Sequence, residues 1–385
     1  MATSRATHQI EPRTYESIPF VDLRRQYQSI KPEIDEVVGE VIERGAFVGD
    51  PYVGVFEESF AGYVGAKHCI GVSSGTSALE LTLRALGVGQ GDEVILPANT
   101  FIATAEAVIF AGARPVFADI DPISFNLNPN EIPKYITSRT RAVIAVDLYG
   151  QPAELTEIAS IAREHNLHLV EDACQAHGAT LDGRKIGGLG HPTCFSFYPA
   201  KNLGAYGEGG AVTTNDDKLM DKIRLLREHG SRTKYVHEIV GHNHRLAALQ
   251  AAVLSVKLRY LDAWVERRRE IAQLYGAALK DTPQLTLPLE LPGRGHAYHL
   301  YVVRISNRER VRTMLSDMGI GCGIHYPVPL HLQPALAYLG YHAGDFEQTE
   351  SCASTILSLP MFPELEDEEV SYVAEKLQEV CLETQ

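Results

Sequence analysis

No two cysteines in this sequence are spaced as C-x-x-C. The six, Cys69, Cys174, Cys194, Cys322, Cys352 and Cys381, are scattered through 385 residues. That pattern excludes a cysteine-based zinc site and a disulfide framework, so no metal site is expected and a reducing cytoplasm is the natural setting. Long apolar runs are missing too: none reaches the ~18 residues of a membrane helix. Met1 to Ser17 lacks the apolar stretch of a secretory signal and reads as a loose polar leader. Positive charge is in deficit, with 35 Lys and Arg against 49 Asp and Glu and a net charge of −14. This argues against nucleic acid and anionic membrane as partners. Internal repeats and low-complexity tracts are absent.

What is present is ordinary globular material, 45% hydrophobic and 22% charged, long enough for one large domain plus a smaller one. From Gly71 to Asn215 strand-like and helix-like segments alternate. Leu79, Leu83 and Leu86 fall at helical spacing ahead of Gly87. Glu93–Leu96 reads as a strand ended by Pro97, and Arg114–Ala118 as another. The apolar run Ala142–Val146 suits a strand covered on both faces. Glu154–Asn166 is amphipathic, and Leu167–Val170 is the next strand, leading into Glu171-Asp172. This rhythm predicts an α/β fold with a mostly parallel central sheet and helices on both faces. Past residue 260 the texture changes. A charged helix Leu261–Leu279, a strand Tyr298–Ile305, a helix Glu309–Met318 and a last helix Asp367–Val380 suit a smaller C-terminal α+β domain. The division expected is a leader 1–17, a large domain 18–260 and a small domain 261–385.

In such sheets ligands sit at the carboxyl ends of the strands, and three segments there carry candidate chemistry. Ser73-Ser74-Gly75-Thr76-Ser77 precedes a helix, where backbone amides and the dipole favour a phosphate. The same residues serve equally as a plain helix cap. Asp172 follows an apolar strand, with Gln175 three residues on. It is either a carboxylate that pairs with a protonated ring nitrogen or a capping acid. His177, a lone histidine, reads as structural. Lys201 lies between the aromatics Phe195, Phe197 and Tyr198 and the glycines Gly204, Gly207, Gly209 and Gly210. An amine in a desolvated pocket becomes a nucleophile toward carbonyls, whereas glycine-rich turns also arise for structural reasons alone. Together, a phosphate cradle, an acid and a lysine meet the needs of pyridoxal 5'-phosphate for its phosphate, its pyridine nitrogen and its aldehyde.

Six motifs, taken in order, carry a resemblance: Pro19-Phe20-Val21-Asp22-Leu23, Ser74-Gly75-Thr76, Pro97-Ala98-Asn99-Thr100-Phe101, Glu171-Asp172, Ser196-Phe197-Tyr198-Pro199-Ala200-Lys201 and Gly241-His242-Asn243-His244-Arg245. From Ile18 to Leu382 the chain resembles the fold-type I aminotransferases of the DegT/DnrJ/EryC1 group, which aminate keto groups of nucleotide-linked sugars. The resemblance implies pyridoxal 5'-phosphate as cofactor, with Lys201 bonding its aldehyde and acting as the proton-transferring base. Asp172 would pair with the pyridine nitrogen, and Gln175 would reach the phenolic oxygen. Ser74, Gly75, Thr76 and Ser196 would hold the phosphate, and Phe101 would stack on the ring. Asn243 would reach the phosphate of a neighbouring subunit, making a homodimer with shared active sites. Tyr198, Arg245, His325 and Tyr326 are candidate substrate contacts; packing or an interface ion pair is the alternative for each.

Val146-Asp147-Leu148-Tyr149-Gly150-Gln151, Gly323-Ile324-His325-Tyr326-Pro327 and Leu357-Ser358-Leu359-Pro360-Met361-Phe362-Pro363 most resemble the enzymes acting at sugar C-3. The family often has His where this chain has Asp147, a departure that bears on specificity. The implied reaction moves the amino group of L-glutamate to the C-3 keto group of a dTDP-linked 3-keto-6-deoxyhexose. A UDP-linked 3-keto sugar, a 4-keto sugar and a non-catalytic sensor of the same fold are the alternatives. A sugar 3-dehydrase of the same fold would carry His in place of Lys201.

Overall fold

The computed structural model describes residues 17–384, so the leader expected at Met1–Ser17 lies outside the described residues but for Ser17. Seven strands form the central sheet, in the spatial order His68–Val72, Gly210–Thr214, Thr193–Ser196, His168–Asp172, Thr140–Val146, Glu93–Pro97, Arg114–Ala118. All neighbours from Thr193–Ser196 to Arg114–Ala118 pair in parallel. Gly210–Thr214 alone runs the other way, antiparallel to both its neighbours. The sheet is therefore mostly parallel, as the alternating pattern implied.

Both faces are covered. Val94, Leu96, Ala142, Ile144 and Val146 point into one core, beside Leu79 and Leu83 of the helix Gly75–Ala85 and Val108 of Ile102–Phe110. Ile95, Val143 and Ala145 point into the other, beside Phe56 and Phe60 of Tyr52–Val64, Ile158 of Leu155–Glu164 and Leu254 of Ala248–Leu258. This is the period-two alternation of a strand with apolar side chains on both sides. Each buried leucine, valine or phenylalanine contributes roughly 1.5–3 kcal/mol. A third core joins the helices Leu261–Leu279 and Asp367–Glu383 to the antiparallel strands Tyr301–Ile305 and Ile356–Leu359. Ile18 packs into this third core, while Leu261 and Val265 pack into the second.

Strand boundaries differ from the sequence reading where function sits. The strand expected to stop at Val170 continues through Asp172, because Glu171 and Asp172 pair with Thr193 and Cys194 on the neighbouring strand. The strand expected from Tyr298 begins at Tyr301. The helix Leu261–Leu279 has the bounds expected. Leu23–Arg44 forms a further helix, capped by Asp22 and broken at Ile30 ahead of Pro32, a position where proline removes a helical hydrogen bond.

Candidate functional site

Alternation along one strand sorts two neighbouring acids. Val170 faces the first core, so Asp172 faces the same side and Glu171 the opposite one. Asp172 opens into a cavity of about 540 Å³ at the carboxyl edge of the sheet, within the range of about 300–1,000 Å³ for small-molecule sites. Ser74, Gly75, Thr76, Phe101, Gln175, Ser196, Tyr198, Lys201, His325 and Tyr326 line the same cavity. Asn243 and Arg245 do not: Asn243 is exposed, and Arg245 pairs with Glu228 at 2.9 Å.

The Asp172 carboxylate is held from two sides. Thr104 Oγ1 donates to Oδ2 at 2.8 Å, and the Cys174 N–H to Oδ1 at 3.2 Å. Asp172 forms no ion pair among the described residues, so its charge is free for a cation in the cavity. Lys201 likewise has no ion pair among the described residues; its Nζ lies 3.4 Å from His299 Nε2. Burial pushes the Lys201 pKa down, and the nearby Cys174 and Asp172 offset part of this. Burial also holds His299 well below the ordinary histidine range, with Lys201 the next cause. His325 is lowered to about 4 by burial and by Lys201. An amine buried beside neutral imidazoles is biased toward its uncharged, nucleophilic form.

Gln175 is locked by its own amide. The Tyr149 N–H donates to Oε1 at 2.7 Å, which turns Nε2 toward Tyr326 Oη at 3.1 Å and the cavity. Next to Tyr149, Gly150 has φ 105°, and a Cβ there would lie 3.0 Å from His299 N and 3.1 Å from Gln175 O. The Tyr149 hydroxyl donates to the His325 carbonyl, and His325 Nδ1 contacts Ser358 Oγ at 2.9 Å. Phe101, half exposed, leans on Tyr326 with ring centroids 5.4 Å apart.

The phosphate-cradle and helix-cap readings of the serine-rich segment coexist. Ser74 caps the helix Gly75–Ala85 by accepting from Ser77 N at 3.1 Å. The other first-turn amides keep the unsatisfied N–H groups that draw an anion to a helix start. A Cβ on Gly75 would come within 2.7 Å of both Ser196 Cβ and Cys174 Sγ. Glycine thus lets the helix start sit directly on the strand end that leads to Lys201.

Asp147 lies elsewhere. It is fully buried, as is Glu171, on the opposite side of the sheet edge from Asp172. Asp147 Oδ1 accepts from Ala153 N at 2.8 Å, and Glu171 Oε2 meets Thr193 Oγ1 at 2.5 Å and His191 Nε2 at 3.0 Å. The remaining oxygens, Asp147 Oδ2 and Glu171 Oε1, have no other partner, and a proton shared between the two acids satisfies both. Burial and the adjacent Glu171 push Asp147 far up. Burial also raises Glu171, but His191, Thr193 and Asp147 outweigh it and hold the group down. Asp147 does not line the cavity.

Sequence reasoning passed over Thr104, Cys174 and His299, all of which line the cavity. Thr104 sits one helical turn past Phe101, a spacing that could have marked it. His299 reaches Lys201 from 98 residues away, and no local pattern carries that. Its strand start is fixed by buried Arg268, whose Nη1 donates to the carbonyls of Tyr298 at 3.1 Å and Met361 at 2.9 Å.

The model of the DegT/DnrJ/EryC1/StrS aminotransferase family matches residues 28–378. A pleiotropic regulatory protein of Geobacillus stearothermophilus is 46% identical over 365 residues, 94% of this chain and 98% of its own length. The dTDP-3-amino-3,4,6-trideoxy-alpha-D-glucose transaminase of Streptomyces venezuelae is 43% identical over 362 residues, 94% of this chain and 96% of its own. The crystal structure of S. venezuelae DesV superimposes with a TM-score of 0.94 at 43% identity, covering 95% of this chain and 98% of that one. A relative of Acidithiobacillus ferrooxidans at 41% identity over 359 residues, 93% of this chain and 96% of its own, is named for a UDP-linked sugar.

Proposed function

This chain belongs to the DegT/DnrJ/EryC1/StrS aminotransferase family, and from that premise we propose that it transfers the amino group of L-glutamate to the C-3 keto group of a dTDP-linked 3-keto-6-deoxyhexose. It is a pyridoxal-phosphate aminotransferase of nucleotide-linked keto sugars. The observation that carries the site assignment is that Lys201, Asp172 and the Ser74-Gly75-Thr76 helix start line one cavity.

The residues present fit the cofactor: a lysine and a carboxylate that have no ion pair among the described residues, and a helix start brought close by Gly75. Bound there, pyridoxal phosphate supplies an electron sink that stabilises charge beside the amino-bearing carbon. Lys201 would hold the cofactor through its amine. Once free, uncharged Nζ takes the proton from the α-carbon of glutamate and later returns one to C-3 of the sugar. One base on one side of the cavity serves both half-reactions. Asp172, preset by Thr104 and Cys174, would keep a proton on the pyridine nitrogen. Gln175 Nε2, turned into the cavity by the Tyr149 N–H, would donate to the phenolic oxygen. Ser74, Gly75, Thr76 and Ser196 would hold the phosphate, and Phe101 would cover the ring. Tyr198, His325 and Tyr326 contact the substrate.

Asn243 and Arg245, outside their own chain's cavity, serve that of a second subunit in a cytoplasmic homodimer. The division of labour between residues 18–260, which bind the cofactor, and 261–385, which close over it, belongs to the same proposal. The test is turnover of purified enzyme with L-glutamate and the dTDP-linked 3-keto sugar. Mass spectrometry and NMR should show nitrogen at C-3 and release of 2-oxoglutarate. An amine at C-4, or turnover of the UDP-linked sugar alone, would overturn the substrate assignment.

A further inference from the structure

The segment 242–244 is extended. Asn243 bridges Glu228, and the N–H groups of His242 and His244 donate to Leu226 and Arg227. Its side chains therefore alternate: Asn243 is exposed, while His242 and His244 turn together toward Glu80 on the helix Gly75–Ala85. The two imidazoles lie parallel, 4° between planes and 4.8 Å between centroids. His242 Nε2 is 3.6 Å from Glu80 Oε1, and His244 Nε2 is 3.6 Å from Oε2. One donor atom from each of the three lies within 4.8 Å of the others.

We propose that Glu80, His242 and His244 form a divalent-metal site, suited to zinc, apart from the catalytic cavity. A separation of 3.6 Å is too long for a hydrogen bond, yet both rings aim Nε2 at the same carboxylate. Zinc–nitrogen and zinc–oxygen bonds of about 2.0–2.2 Å place tetrahedral ligands roughly 3.3 Å apart, so donor atoms within 4.8 Å of one another must draw closer, and the two parallel rings must tilt toward a common point, as the ion binds. Two imidazoles and a carboxylate are a donor set zinc accepts, with a fourth position left for water. Outer partners are in place: Arg84 Nε donates to Glu80 Oε1 at 2.8 Å, and Ser73 Oγ lies 3.4 Å from His244 Nδ1. Such contacts orient metal ligands. None of the three residues lines the cavity. A metal here clamps the segment bearing Asn243 to the helix that starts at Gly75. The cysteine pattern predicted no metal because this donor set contains no cysteine.

The experiment uses full-length holoenzyme stripped with chelator, then titrated with Zn2+ against a chromophoric competitor at pH 7.5. One Zn2+ per chain is expected. His242→Ala and His244→Ala, each removing one of three ligands, should bind at least 100-fold more weakly or not at all. Glu80→Gln, which keeps the side chain's shape, should weaken binding in the same direction. The absorbance of bound cofactor checks that each variant is folded. Absence of binding by the wild-type protein, or equal binding by it and the folded histidine variants, overturns the proposal.

Discussion

Thr104→Val removes the shorter of the two hydrogen bonds that hold Asp172 and keeps the volume of the side chain. Both partners are buried, Thr104 at 1% and Asp172 at 5% exposure, so water does not replace the lost donor. The bond, 2.8 Å from Oγ1 to Oδ2, goes to a carboxylate, and such bonds contribute about 1.5–3 kcal/mol. The Cys174 N–H, at 3.2 Å, remains but is longer. If Asp172 acts on the transition state, most of that energy is lost where charge develops on the ring, which means a fall in kcat of about 10- to 150-fold at 1.4 kcal/mol per tenfold. The assay is a single-turnover reaction with L-glutamate, read in the visible absorbance of bound cofactor, alongside steady-state kcat. Thr104→Ser restores a hydroxyl and should recover most of the rate. A Thr104→Val enzyme within about twofold of wild type would refute the claim that Asp172 needs this preset geometry.

Lys201→Ala should lose the cofactor's lysine-bound absorbance and essentially all turnover; near-normal transamination would remove Lys201 from its role. Asp172→Asn should keep some cofactor but lose about 10²–10³ in kcat, and a loss below tenfold would mean the ring nitrogen has another partner. Asp147→Asn preserves a neutral group beside Glu171 and should leave kcat and sugar preference near wild type. Asp147→Ala strands a buried carboxylate and should cost about 2–3 kcal/mol in urea unfolding; a change of sugar preference with unchanged stability would contradict this. Acid stability should follow the buried histidines. Burial lowers His177 and His296 to about 3 and His325 to about 4, against ~6.5 in the unfolded chain. The unfolded chain thus takes up protons that the folded one refuses. The stability these groups contribute is full above pH ~6.5 and drains as pH falls toward their folded values, each at up to about 1.4 kcal/mol per pH unit. His177→Phe should flatten the fall in urea midpoint between pH 7 and 5; an unchanged slope would mean His177 takes up its proton while folded.

Local pattern was enough for most of the α/β half. The strand Arg114–Ala118, the run Ala142–Val146 inside the strand Thr140–Val146 and the charged helix Leu261–Leu279 were legible because their patterns are properties of neighbours in the chain. The helices Leu23–Arg44 and Tyr52–Val64 did not stand out, because their moderate apolar content does not separate a helix from a connecting segment. Lys201, Asp172, Gln175 and the serine-rich helix start were also legible, since each sits at or shortly after the carboxyl end of a strand, where such sheets bind ligands. The sequence by itself therefore determined the family, the sheet and the residues that border its carboxyl edge.

The tertiary structure decided what those residues meet. Asp147 and Asp172 look alike in sequence, each an acid after an apolar strand. Alternation and burial send one beneath the sheet to share a proton with Glu171 and the other into the cavity. His299 next to Lys201, Thr104 on Asp172, and Glu80 between His242 and His244 are contacts across long stretches of chain. Their energies depend on desolvation and on distances of a few ångströms, and both come into being only when the chain has folded.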